Sequence, residues 1–131
     1  MNPKYLDKMS AKELDSYGKR VGVDVRNLKT KEQKAEAIRA ERERTVQVVA
    51  LGIPFEVKKS AVRDKRVTDV FEDPRTAPDD VAKVMGTVLG NEQYAELVNA
   101  CTDEDGSVDV DAMTYATVAI MNSAQVKNLL G

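Results

Sequence analysis

Two capping boxes fix where the N-terminal part of the chain turns helical. In Ser10-Ala11-Lys12-Glu13 the hydroxyl is placed to accept from the Glu13 N–H while the Glu13 side chain reaches back to the Ser10 N–H, and Thr30-Lys31-Glu32-Gln33 repeats the spacing. A helix therefore starts at each. Met9 and Leu14 stand at the staple positions around the first box, and Leu14, Tyr17 and Val21 follow at i, i+3 and i+7. Gly22 supplies the left-handed residue that ends a helix over 11–21. Between the helices, Val23-Asp24-Val25-Arg26-Asn27-Leu28 alternates apolar with polar and reads as extended chain. The second helix has a narrow stripe of Ala35 and Ile38 and runs into Glu41-Arg42-Glu43-Arg44.

At Thr45 the composition changes, which sets a domain boundary between 1–44 and 45–131. Thr45-Val46-Gln47-Val48-Val49-Ala50 is rich in β-branched residues, and Ile53, Phe55 and Val57 alternate with Pro54, Glu56 and Lys58, predicting a hairpin around Gly52. Pro54 has no N–H to give a ladder and belongs on an edge. A lone hairpin is marginal in water, so it packs on helices or pairs with another chain, and its edge is a ready partner site. Val67, Val70 and Phe71 then predict a short helix closed by Asp73-Pro74. Thr76-Ala77-Pro78-Asp79 opens a further helix through Val81, Val84, Val88 and Leu89, which Gly90 ends, and Asn91 caps the next, with Tyr94, Leu97, Val98 and Cys101 on one face. Asp109 caps a helix carrying Val110, Met113, Thr117, Ile120 and Met121, before a weaker stripe of Val126, Leu129 and Leu130. The fold class expected is mainly α (α+β): a helix-extended-loop-helix unit, a short hairpin, then a bundle of four to five short helices.

Chemistry is sparse. With no histidine and one cysteine, on an apolar stripe, no nucleophile, base and orienting group assemble, so neither an enzyme nor a cofactor is expected. Asp103-Glu104-Asp105-Gly106-Ser107-Val108-Asp109 resembles part of a calcium loop. Aligning Gly106 with the loop glycine puts Cys101 and Ala112 where the end carboxylates belong, so a tight turn is expected and no metal. No apolar run approaches the roughly 18 residues that span a bilayer, and no signal-peptide core opens the chain. A reducing cytoplasm and no membrane partner are therefore expected.

The formal charge of −2 conceals a division: residues 1–66 hold 17 basic and 10 acidic side chains, and residues 67–131 hold 3 and 12. A net +7 precedes a net −9. A basic half of this kind suits an acidic partner. Within it, Met9-Ser10-x-x-Glu13-Leu14, Gly22-Val23-Asp24-Val25 and Lys29-Thr30-Lys31 resemble the helix-extended-loop-helix group, which includes SAP, LEM and Rho N-terminal-like modules. Some members bind nucleic acid and others bind protein. The resemblance implies phosphate contacts at Arg26, Lys29, Lys31 and Lys34, and so a small DNA-binding or regulatory protein as one function. The excess in 1–44 is modest, 12 basic against 8 acidic.

The second half carries another resemblance. Leu51-Gly52-Ile53-Pro54-Phe55-Glu56-Val57, a helix ending Val70-Phe71-Glu72-Asp73, the block Leu89-Gly90-Asn91-Glu92-Gln93-Tyr94, and Asp105-Gly106-Ser107-Val108-Asp109 resemble small tail assembly chaperones of long-tailed phages and prophages over about residues 45–122. The family implies a non-enzymatic protein of the host cytoplasm. Such a protein binds the long helical tape-measure protein and keeps it soluble while tail-tube subunits polymerise around it. A longer, frameshifted form is common in that family, and self-association is open to it. The N-terminal unit departs from the family pattern. A coiled-coil-like partner calls for apolar grooves with side chains that re-pack, and Met85, Met113 and Met121 suit such a surface.

Overall fold

Residues 4–73, 75 and 77–130 are described by a computed structural model and fall into two units, Met1–Arg44 and Thr45–Gly131. In the first, a 3-10 turn (Leu6–Lys8) precedes α1 (Ala11–Val21) and α2 (Lys31–Arg42). Both capping boxes close as their spacing predicts: the Glu13 N–H donates to Ser10 Oγ at 3.2 Å and the Gln33 N–H to Thr30 Oγ1 at 3.1 Å, each with its reciprocal bond. Gly22 takes φ 99° and its N–H meets the carbonyls of Gly18 and Lys19. Leu6, Leu14, Val21, Val25, Ala35 and Ile38 form the core, with Met9 and Tyr17 packed against it. Tyr5 meets Tyr17 edge to face, their hydroxyls 2.6 Å apart.

The connecting loop is extended only as far as Val25. There the alternation expected through Leu28 gives way to a turn, because Asp24 Oδ1 accepts the Arg26 N–H and the Leu28 N–H reaches the Val25 carbonyl. The loop crosses α1 at Gly18, where a Cβ would stand 2.9 Å from the Val23 carbonyl oxygen. Only glycine fits that crossing without displacing backbone.

The second unit begins with β1 (Thr45–Ala50) and β2 (Ile53–Lys58), antiparallel in the register Ala50 with Ile53, Val48 with Phe55 and Val46 with Val57. Leu51 and Gly52 make the two-residue connection with φ of 52° and 75°, the positive pair of a type I′ turn, whose twist matches that of the strands. A leucine pays about 1 kcal/mol for that conformation relative to residues that adopt it readily. Leu51→Asn is therefore expected to raise stability by about 0.5 to 1 kcal/mol, read as a higher denaturation midpoint; an unchanged or lower midpoint would show that the half-exposed leucine contributes packing that offsets its strain.

Five helices follow among the described residues: α3 (Lys59–Val62), α4 (Lys65–Glu72), α5 (Pro78–Ala100), α6 (Val110–Met121) and α7 (Ala124–Leu130). The unit is mainly helical with one hairpin, as the patterning predicts. α3 lies too close to the strand for a periodic stripe to mark it. α5 is broken at Gly90, at φ 79° and ψ 165°, a region open essentially to glycine alone, so the two predicted helices meet at an angle without a loop. Ala77, with no side-chain cap, flanks the start of α5; the expected cap Thr76, and Pro74, lie outside the described residues.

The hairpin turns Val48, Ala50, Phe55 and Val57 onto the helices. α3 and α5 pack against β2, and α6 and α7 against β1. The outer edge of β2 is closed. Pro54 offers no N–H, and the Gln93 amide pairs with Glu56 as a neighbouring strand would: the Glu56 N–H donates to Gln93 Oε1 and Gln93 Nε2 donates to the Glu56 carbonyl, both at 2.7 Å. The same Nε2 reaches the Leu89 carbonyl at 2.8 Å, beside the Gly90 break.

Candidate functional site

The four cations expected to meet phosphates do not form one surface. Lys34 is withdrawn from it: the side chain is buried at 6% exposure and its ammonium donates to the Asp15 carboxylate and to the Val25 carbonyl. That corrects the expectation, and the reason is the loop, whose extended stretch ends with a carbonyl facing α2. Arg26 is exposed but held by Asp24, Nε to Oδ1 at 3.0 Å and Nη2 to Oδ2 at 2.9 Å. The Arg26 guanidinium and N–H draw the Asp24 carboxyl down to about 2. Lys29 and Lys31 are exposed and form no ion pair among the described residues.

The arginines of α2 and the one just after it are engaged as well. Arg39 Nη2 reaches Asp7 at 2.9 Å, Arg42 Nη1 donates to the Tyr17 hydroxyl at 3.1 Å, and Arg44 Nε pairs with Glu41 at 3.2 Å. A cleft of about 290 Å³ beside Gly22 and Val23 is lined by Asp15 and Asp24 as well as Lys19 and Arg26. Its mixed signs give an anion no preference. Burial and the bond to Tyr17 push the Tyr5 phenol up to about 12.

In the acidic half, the Asp103–Ser107 segment is a tight turn. The Asp103 N–H donates to the Ser107 carbonyl at 2.7 Å, Thr102 bridges Val108, and Ser107 Oγ donates to Asp105 at 2.6 Å. The Ser107 hydroxyl holds the Asp105 carboxyl below the usual range. Among the described residues no group of three or more acidic or cysteine side chains is arranged to hold a metal. Asp109 caps α6 by accepting from the Asp111 and Ala112 N–H groups at 2.9 and 3.1 Å. Cys101 is buried, and burial pushes its thiol up, away from the reactive thiolate.

The outer face of α6 exposes apolar side chains. Met113, Ala116, Thr117 and Ile120 turn inward, and the Thr117 hydroxyl is satisfied by the Met113 carbonyl at 2.8 Å. At about 100° per residue the opposite arc carries Asp111, Tyr115 and Val118, whereas Val110 lies only about 20° from the buried Thr117 and is exposed because it stands at the first turn. Val118, Val110 and Tyr115 are 49%, 53% and 66% exposed. A surface helix normally sets charged residues on that arc, but α6 has one, Asp111. Val110 thus keeps the angular position its spacing gave it but is not buried. The expected methionine surface is also corrected: Met85 and Met113 are buried and Met121 is half-buried, so the exposed apolar atoms belong to valine and tyrosine. Tyr115 and Val118 escaped the sequence pattern, although the near absence of charge from Val110 to Met121 marks them.

Among the described residues no helix is long and apolar enough to cross a membrane. No protein-family model, no curated protein and no solved structure matches the chain.

Proposed function

We propose that the chain is a non-enzymatic tail assembly chaperone that holds the tape-measure protein through the outer face of α6 while tail-tube subunits assemble. The observation that carries this function is the pair of exposed side chains Tyr115 and Val118, with Asp111 the one charge beside them, on a helix whose other face is core. An amphipathic helix binds such a face through its own apolar stripe, and the tape-measure protein is rich in such helices. The residue pattern from Leu51 to Asp109 supports the same assignment. The basic unit gains no comparable support, since Lys34 is buried and Arg26, Arg39, Arg42 and Arg44 are engaged within the unit.

Co-expression with a phage tape-measure protein from the same genome tests the assignment. The chain is expected to raise that protein's solubility and to co-purify with it. Tyr115→Lys with Val118→Lys places two charges in the contact and is expected to weaken capture at least about thirtyfold, roughly 2 kcal/mol, while stability stays within about 0.5 kcal/mol of wild type. Failure of the unaltered chain to solubilise or retain the tape-measure protein would overturn the function; capture that survives the double substitution would move it off α6.

A further inference from the structure

The two outer edges of the hairpin are unlike. Each strand of an antiparallel pair turns alternate backbone groups away from its partner, and the type I′ connection makes Ala50 and Ile53 a hydrogen-bonded pair. Pro54 and Glu56 therefore point outward on β2, which the missing proline N–H and the Gln93 bonds independently show. By the same alternation Thr45, Gln47 and Val49 point their N–H and C=O groups outward on β1. On β2 the Pro54 N–H is absent and both outward groups of Glu56 are bonded to Gln93. On β1 the outward groups of Gln47 and Val49 meet no partner among the described residues. Nor does β1 carry any of the usual defences of a free edge: it has no proline, no lysine and no bulge.

We propose that β1 is a self-pairing strand, and that two copies of the chain join antiparallel through it, about a two-fold axis at Gln47, into a four-stranded sheet. The strand is self-complementary in that register. Gln47 faces Gln47 of the second copy, amide to amide, and Thr45 faces Val49 of the second copy, both β-branched. On the other face Val46, half-buried at the margin of the core, lies beside Val48 of the second copy. Each hydrogen-bonded pair exchanges two backbone bonds, so the edge groups of Thr45, Gln47 and Val49 are all satisfied at once. Electrostatics allow the match: no residue from Thr45 to Ala50 is ionisable, so no like charges oppose each other across the seam. Glu56 and Lys58 sit one strand back in each copy. The apolar gain is Val49, 64% exposed in the single chain. A seam of this length is smaller than the roughly 800 Å² per partner of a standard interface, which puts the dissociation constant in the micromolar range. The inference does not rest on the function proposed for α6.

Sedimentation equilibrium of the full chain through the micromolar range is expected to show a monomer–dimer equilibrium. Val49→Lys puts a charge on an already exposed site, leaves the melting temperature unchanged, and is expected to raise the dissociation constant at least about tenfold. Gln47→Cys on the axis is expected to cross-link rapidly with a short bis-maleimide, whereas Glu72→Cys on exposed α4 is not; the buried Cys101 thiol stays silent in both. A chain that remains monomeric overturns the inference. So does a dimer that Val49→Lys leaves intact, or one in which Gln47→Cys cross-links no faster than Glu72→Cys.

Discussion

Lys34→Ala is expected to lower the stability of the Met1–Arg44 unit by about 2 to 3 kcal/mol, whereas Lys29→Ala and Lys31→Ala stay within about 0.5 kcal/mol. All three lysines belong to one short basic run, and what separates them is geometry. The Lys34 ammonium ties α2 to the Asp15 carboxylate of α1 and to the Val25 carbonyl of the loop between them. Removing it leaves that carbonyl, on a fully buried residue, with the Leu28 N–H as its remaining donor and leaves Asp15 without its counter-charge. Breaking a wholly buried pair costs about 3 to 5 kcal/mol, but the Asp15 side chain remains a third exposed, so water recovers part of the loss. Lys34→Met keeps the buried stem and discards only the donors, so it is expected to fall about midway. Denaturation followed by hydrogen exchange at the amides of α1 and α2 measures the series; a Lys34→Ala loss as small as that of Lys29→Ala would show that the pair merely breaks even with solvent. The result also bears on nucleic-acid binding. Charge reversal at Lys34 is expected to destabilise the unit, so the exposed Lys29 and Lys31 are the lysines that report on phosphate contacts.

The parts of the fold that were legible in the sequence are those fixed by local chemistry. Ser10 with Glu13, Thr30 with Gln33, Asp109 before an apolar run and Gly22 after one each specify a helix end through bonds within a few residues. The hairpin follows from alternation, and its turn from Gly52. What escaped depends on the rest of the unit. Leu6 is buried because a 3-10 turn folds back over α1 and α2, and no period announces a single apolar residue. Lys34 looks like a surface cation because its partners lie on another helix and in a loop. Gln93 looks like an ordinary helical polar residue, yet it substitutes for a strand, because the Gly90 break brings its amide to Glu56. Val110 shares the spacing of the buried stripe but stands at the first turn of α6, where nothing covers it. Pattern gives the period of a face; the neighbouring elements decide which face is covered.

Phe55→Ala is expected to cost the Thr45–Gly131 unit about 4 kcal/mol, and Phe55→Leu about 1 to 1.5 kcal/mol. Phe55 is the largest fully buried side chain of the protein and lies in one cluster with Met85, Leu97 and Ile120. The size of the loss depends on whether the surroundings collapse into the space left behind. Here the backbone on either side is held: Phe55 pairs with Val48 in the ladder, Pro54 restricts the residue before it, and both backbone groups of Glu56 after it are clamped by Gln93. A strand fixed on both edges cannot sink toward the helices, which places the alanine variant toward the upper end of the usual range. The methionine side chains can re-pack, and this is why leucine recovers most of the loss. A falling denaturation midpoint at constant slope would measure it. A loss below about 2 kcal/mol for alanine would mean that the hairpin follows the core inward, and then the Gln93 clamp is not what holds β2 in place. Gln93→Ala combined with Phe55→Ala separates the two: with the clamp removed, the strand relaxes and the alanine penalty is expected to shrink by about 0.5 to 1 kcal/mol, a coupling that independent sites would not show.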